Sequence, residues 1–224
     1  MLDPSPAWLE ATWFIDSDDP RVVEFAHGAV GDATGATDKA VRLFYAVRDG
    51  FRYDPYNLDH SAESFRASSV VESPSNWCVP KSVLLTAAAR SQGIPARLGF
   101  ADVRNHLTSE KLKATMSSDV FAWHGFSEVL LDDGWHKLST AFNIELCDRF
   151  GVRTLEFDGT GDALMHPFDK AGRQHMEYIR QRGCYDDLPL DEIMATFAEL
   201  YGEGVAGGRR PGNAAAAGDD AFAS

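Results

Sequence analysis

The sequence predicts an α+β fold in which a cysteine-bearing helix packs on an antiparallel sheet. Three observations predict it. The stretch "CVPKSVLLTAAARSQG", from Cys78 onward, is alanine-rich with helically spaced apolar residues and stops at Gly93. Three extended segments follow it: "ARLGFADVRNH", "VFAWHGFSEVLL" and "WHKLSTAFN". The last two are joined by "DDG", a tight-turn signal that makes them antiparallel neighbours. A helix followed by a run of hairpin-linked strands is a segregated layout.

Each element has its own local reason. "DDPRVVEFAHGAV" spaces its apolar residues as a helix, with Asp18 or Asp19 as N-cap and Pro20 in the first turn. A second helix is expected from a cap at Thr37 to about Val47, closed by Asp49-Gly50. "FRYDPYN" reads as an extended aromatic segment ending in a turn, and residues 58–74, polar and Ser-rich, as a loop with short irregular structure. In the Cys78 helix, Val79, Val83, Leu84 and Ala87 share a face. Beyond Asn143, "GDALMHPFDKAGRQHMEYIRQRG" is expected to hold one helix near its end. "PLDEIMATFAELYG" is another, with Asp191 and Glu192 at the positive end of its dipole. Residues 1–201 read as one domain, with a core over about 37–143 and a C-terminal extension over 144–201. The Gly- and Ala-rich tail 202–224 is expected to be disordered.

Composition bounds the function. The 224 residues suffice to bury a real core, and 44% apolar with 25% charged is ordinary for a globular protein. With 34 acidic against 21 basic residues, the formal charge of −13 argues against nucleic acid and anionic membranes as partners. No apolar run is long enough to cross a bilayer, and the N-terminus lacks a signal-peptide pattern, so a cytoplasmic location is expected. The three cysteines, Cys78, Cys147 and Cys184, form no CxxC pair and are odd in number, which disfavours a disulfide framework or a compact zinc site. Cys147 and Cys184 have no helix-start context and read as structural. No cofactor is expected.

Cys78 differs from the other two. It sits at a helix start, where unpaired N–H groups and the dipole favour a thiolate, and Pro80 suits that first turn. Thiol catalysis then needs a base and a group that orients it. His124, on the strand after the helix, is the best-placed imidazole. If that strand alternates regularly, Ala122, His124 and Phe126 share one face and Phe121, Trp123 and Gly125 the other. His106, in a loop, and His136, beside Trp135, compete with it. The next strand offers Ser139, Thr140 and Asn143 as orienting groups. An amide oxygen such as that of Asn143 is able to accept an imidazole N–H and fix the tautomer. Asn76 and Tyr53 are candidates for an oxyanion donor beside the Cys78 N–H, with Trp77 and Trp123 as further substrate contacts. Among the acids, Asp132 and Asp133 read as turn residues, Glu128 as solvent-facing, and Asp158 as a turn residue or, alternatively, a carboxylate brought in from outside the strands. A metal site of Cys78, His124 and a second histidine needs a convergence that the spacing does not force.

Three segments together resemble the transglutaminase-like superfamily. "NWCVPKSVLLTAAARSQGIPARLGF" is similar to its cysteine segment, in which Cys begins a helix, an Ala-rich "AR" run follows and "GIPAR" leads into a strand. "FAWHGFSEVLLDDGWHKL" resembles its histidine segment, and "DKAVRLFYAVRDGFRYDPY" its upstream helix and aromatic strand. The likeness covers about residues 37–143. It implies a papain-like core of the bacterial single-domain type, with Cys78 as nucleophile and His124 as base. It also implies acyl transfer through a thioester, by hydrolysis or transamidation of a peptide or amide substrate. The family's third residue is an Asp in a pattern like W-x-x-V-D-x-T, and here Ser139 stands there. Three arrangements stay open: Asn143 takes the orienting role, the site works as a Cys–His dyad, or activity is lost. The alternative to an enzyme is a non-catalytic peptide- or partner-binding member of the same fold.

Overall fold

A carboxylate followed by a proline starts the first helix. The computed structural model describes residues 5–56, 59–110 and 118–202, so the Gly/Ala-rich tail beyond residue 202 lies outside the described residues. In α1 (Pro20–Val30), the Asp19 side chain accepts the Arg21 backbone N–H, and Val22, Ala26 and Val30 form the buried stripe. Helix α2 (Ala36–Gly50) starts two residues earlier than expected, with Gly35 before it and no side-chain cap. Thr37 lies inside the first turn, and its methyl fills the space where a side chain at Gly159 would stand.

The aromatic segment after α2 contributes only β1 (Arg52–Tyr53). The polar segment holds a 3₁₀ turn at Ala62–Phe65 and α3 (Ala67–Val71). Buried Asp16 anchors it by accepting from the Ser68 N–H, the Ser68 hydroxyl and the Arg66 guanidinium. β2 (Ser75–Asn76) then pairs in parallel with β1, setting Tyr53 opposite Asn76 just before Cys78.

Helix α4 (Cys78–Ser91) is buried from Cys78 to Arg90, on all sides rather than on one face. Helices α1, α2 and α3 pack around it, together with the sheet. Its polar groups are satisfied internally, as burial demands. The Thr86 hydroxyl donates to Ser127 Oγ at 3.0 Å, and Ser127 Oγ donates to the Ser82 carbonyl at 2.9 Å. Arg90 donates to the carbonyls of Ala96, Glu10 and Asp186.

The main sheet is antiparallel in the order β5-β4-β3-β6, built from β3 (Ala96–Asn105), β4 (Val120–Leu131), β5 (Gly134–Leu138) and β6 (Met176–Tyr185). Two expectations are corrected here. The segment around "HMEYIRQRG" is not a helix but β6, an edge strand on β3. Its Glu, Arg and Gln suit a helix, but the open edge of β3 offers a full ladder of backbone partners, and tertiary pairing overrides local propensity. The third strand also ends early, at Leu138 rather than running on to Asn143. The chain turns away at Ser139, whose N–H donates to the Ala163 carbonyl, and enters α5 (Ile144–Phe150) after Asn143. Glu128 is buried rather than solvent-facing. It pairs with Arg97 at 2.7 Å, and the Arg97 guanidinium stacks on Trp135.

The last helix, α6 (Leu190–Tyr201), carries Asp191 and Glu192 in its first turn and buries Ile193 and Phe197. It seats on β4: Trp123 Nε1 donates to Thr196 Oγ1 at 2.9 Å, and the Tyr201 hydroxyl accepts from the Ala122 N–H and donates to the Val120 carbonyl. Among the described residues no helix is long and apolar enough to cross a membrane.

Candidate active site

The site forms where the start of α4 meets the edge of β4. Cys78 is the first residue of α4, behind Trp77 in extended conformation, and is 8% exposed. Strand β5 pairs with β4 only as far as Leu138 opposite Ser127. The edge of β4 at Gly125 is therefore free of a strand partner from β5, and the Cys78 thiol takes its place. The backbone N–H groups of Gly125, Val79 and Cys78 itself favour the thiolate at this position. Gly125 permits this approach, because a side chain there would come within 3.1 Å of Val79 Cα.

Helix-start N–H groups favour the thiolate, as expected, but they are outweighed. Burial pushes the Cys78 thiol up to about 11, with the backbone donors and the Lys81 charge opposing it. Burial likewise pushes the His124 imidazole down to about 4. Both groups rest neutral.

A β-bulge sets the strand parity around His124. Ala101 pairs with His124 and Val103 with Phe121, so Ala122 and Trp123 together oppose Asp102. Trp123 adopts φ 58, which is uncommon for a residue with a side chain. Several contacts hold it there: Asp102 accepts its N–H, Thr196 accepts its indole N–H, and the Arg182 guanidinium lies 4.7 Å from its ring. Downstream of the bulge, Gly125 and Ser127 face α4, while His124 shares the other face with Phe126.

His124 Nε2 lies 3.4 Å from Ser139 Oγ, and both residues are buried. The Ser139 position thus meets the imidazole. Asn143 does not: its Oδ1 accepts the Tyr53 backbone N–H at 3.0 Å. Asp158 is an exposed turn residue that accepts from the backbone and hydroxyl of Thr160. His106 pairs with exposed Glu177, and His136 with Asp133, so neither competitor is drawn to Cys78.

The substrate-contact candidates separate in the same way. Asn76 is 4% exposed, and its Nδ2 is buried with no hydrogen-bond partner among the described residues. Trp77 packs among His60, Phe65 and Phe197. A cleft of about 240 Å³ beside Asn76, Trp77 and Pro80 is lined further by Asp59 and serines 64, 69 and 73. The Tyr53 ring packs edge-on against Phe142. The Trp123 ring is 2% exposed and enclosed by Phe100 and Tyr185. Cys147 is buried and Cys184 exposed on β6. No group of three His, Cys, Asp or Glu side chains comes together to hold a metal among the described residues.

Sequence reasoning missed three contributors. Tyr178 and Tyr201 reach the site from the extension, and both lie within electrostatic range of the Cys78 thiol. Lys81, fully buried one turn after Cys78, is the third. A lysine inside an otherwise apolar helical run was the available signal for it.

One solved structure, described as a putative cysteine protease from Cytophaga hutchinsonii, aligns at 14% identity with a TM-score of 0.46, over 80% of this chain and 53% of that one. The chain therefore spans about half the length of that neighbour. No curated protein matches. The model of the transglutaminase-like superfamily matches residues 23–140, more than half of the chain, and takes in the Cys78 helix start, the His124 strand and Ser139. With its α+β core, the chain belongs to the transglutaminase-like superfamily.

Proposed function

We propose that the protein is a cysteine hydrolase or acyltransferase that cleaves amide or peptide bonds through a thioester on Cys78. One observation carries this reading: Cys78 begins a buried helix whose first turn packs against β4 at Gly125, the residue after His124. The mechanism requires His124, whose Nε2 faces Ser139 Oγ, to present Nδ1 to the thiol. The Cys78 proton passes to that nitrogen as sulfur attacks the carbonyl carbon. The Cys78 N–H and the unpartnered Asn76 Nδ2 are placed to receive the developing oxyanion. The imidazolium then returns its proton to the leaving amine, and water or a second amine resolves the thioester. Ser139 orients the ring but lacks the charge of a carboxylate, so it supports the imidazolium less well.

The test is acyl-enzyme trapping with p-nitrophenyl acetate, read by peptide mass spectrometry. Acetylation of Cys78 that is lost in His124→Ala is expected. Acetyl groups distributed over the cysteines by exposure alone, and unchanged in His124→Ala, would sink the proposal. The second reading, a non-catalytic peptide- or partner-binding member, draws on the neutral resting state of both groups. It predicts that no acyl-enzyme forms.

A further inference from the structure

Lys81 is 0% exposed, and among the described residues its hydrogen-bond partners are backbone carbonyls. Its Nζ donates to Arg48 O at 2.8 Å, Phe51 O at 2.6 Å and Ala141 O at 3.1 Å. An ammonium has three protons, and three acceptors meet it here; a neutral amine has two and would leave one carbonyl unmatched. Two of these carbonyls lie at the end of α2, the negative pole of that helix. The third belongs to the loop two residues beyond Ser139.

Cys78 and Lys81 are three residues apart on α4, which sets them on one face of its first turn. The other groups acting on Lys81 are Arg48 and Asp49 of α2, and Cys147 of α5. Asp49 itself takes the Arg48 guanidinium and the Ile144 N–H. A buried lysine held by three carbonyls thus stands one helical turn from Cys78, in a site whose histidine meets Ser139.

We propose that Lys81 is a positioning residue and the counter-charge of the Cys78 thiolate: its caged ammonium stabilises the sulfur anion and ties the Ser139 loop to the end of α2. The family carboxylate would stabilise the imidazolium, whereas Lys81 stabilises the other half of the ion pair. This inference rests on Cys78 being the nucleophile.

The experiment is the rate of Cys78 alkylation by iodoacetamide against pH, resolved by peptide, in the wild-type chain, Lys81→Gln and Lys81→Met. Removing an adjacent positive charge should raise the thiol pKa by about one unit, slowing alkylation about tenfold in both variants at pH 6. Burial lowers the lysine to about 7, so the gap between wild type and variants should close as pH rises through that value. A purely structural lysine would give a ratio that does not depend on pH. Lys81→Gln keeps two donors for the carbonyls and should be the more thermally stable variant.

Wild-type protein with carbon-13-labelled lysine gives a readout that needs no substitution. One lysine signal should titrate near 7, with a bend in the alkylation profile at the same pH. A folded Lys81→Gln with the wild-type profile, or a Lys81 that titrates as an ordinary lysine, overturns the proposal. Lys81-dependent alkylation without any acyl-enzyme leaves the counter-charge standing and removes the hydrolase reading.

Discussion

Replacing Ser139 by Asp restores the family carboxylate behind His124, and its effect follows from the geometry. Ser139 Oγ is 3.4 Å from His124 Nε2 and the serine is 1% exposed. At that separation and an effective dielectric near 20, a unit charge pair is worth about 5 kcal/mol. Desolvating a carboxylate at a closed position takes back roughly 2 kcal/mol or more. About 3 kcal/mol remains, or about two pK units. That moves the imidazole from about 4 toward roughly 6. The share of thiolate–imidazolium pairs scales with the difference between the two pKa values, so it rises about a hundredfold. The assay is Cys78 alkylation near neutral pH, with thermal melting as the control for folding. Ser139→Asn, which matches Asp in size but carries no charge, should show no such rise. A folded Ser139→Asp with an unchanged or slower rate would refute the coupling of imidazole to thiol on which the mechanism depends.

Two further outcomes follow from buried groups. Asn76→Ala should slow acylation by p-nitrophenyl acetate about 10²–10³-fold if Nδ2 receives the oxyanion, while barely moving the melting temperature, because that nitrogen has no partner to lose. An unaltered acylation rate removes Asn76 from the oxyanion site. Acid should destabilise the fold early, since burial lowers both His124 and His175 from 6.5 to about 4. Between those values the unfolded chain binds protons that the folded chain refuses, so stability falls as pH drops from about 6.5 to 4, by up to roughly 3 kcal/mol per histidine. Denaturant titrations at pH 7 and pH 5 check this, and equal midpoints at the two pH values contradict it.

Much of the fold was legible because its signals are local. Asp19 and Pro20 mark a helix start wherever the helix packs, and the "DDG" turn makes β4 and β5 neighbours before any sheet exists. The segments around Cys78 and His124 were readable for the same reason. The "HMEYIRQRG" strand was not, because helix formers at an edge obey the neighbouring strand, and the neighbour is distant in sequence. Asn143 and Ser139 were chemically comparable as orienting groups. The choice between them turned on where β5 stops and on the Tyr53 N–H, which takes up the Asn143 oxygen. Trp123 looked available to a substrate until the bulge and the Thr196 contact enclosed it.

By itself, then, the sequence determined that a thiol begins a helix, that a histidine strand follows, and that no carboxylate stands at the family's third position. Periodicity, caps and turn chemistry depend only on residues a few positions apart, so these features need no tertiary partner to be read. Only the tertiary structure decided the charge state of the site. Desolvation and Coulomb forces depend on everything that surrounds a group. Here that means the walls that hold Cys78 and His124 neutral, and the three carbonyls that gather around Lys81 from separate parts of the chain.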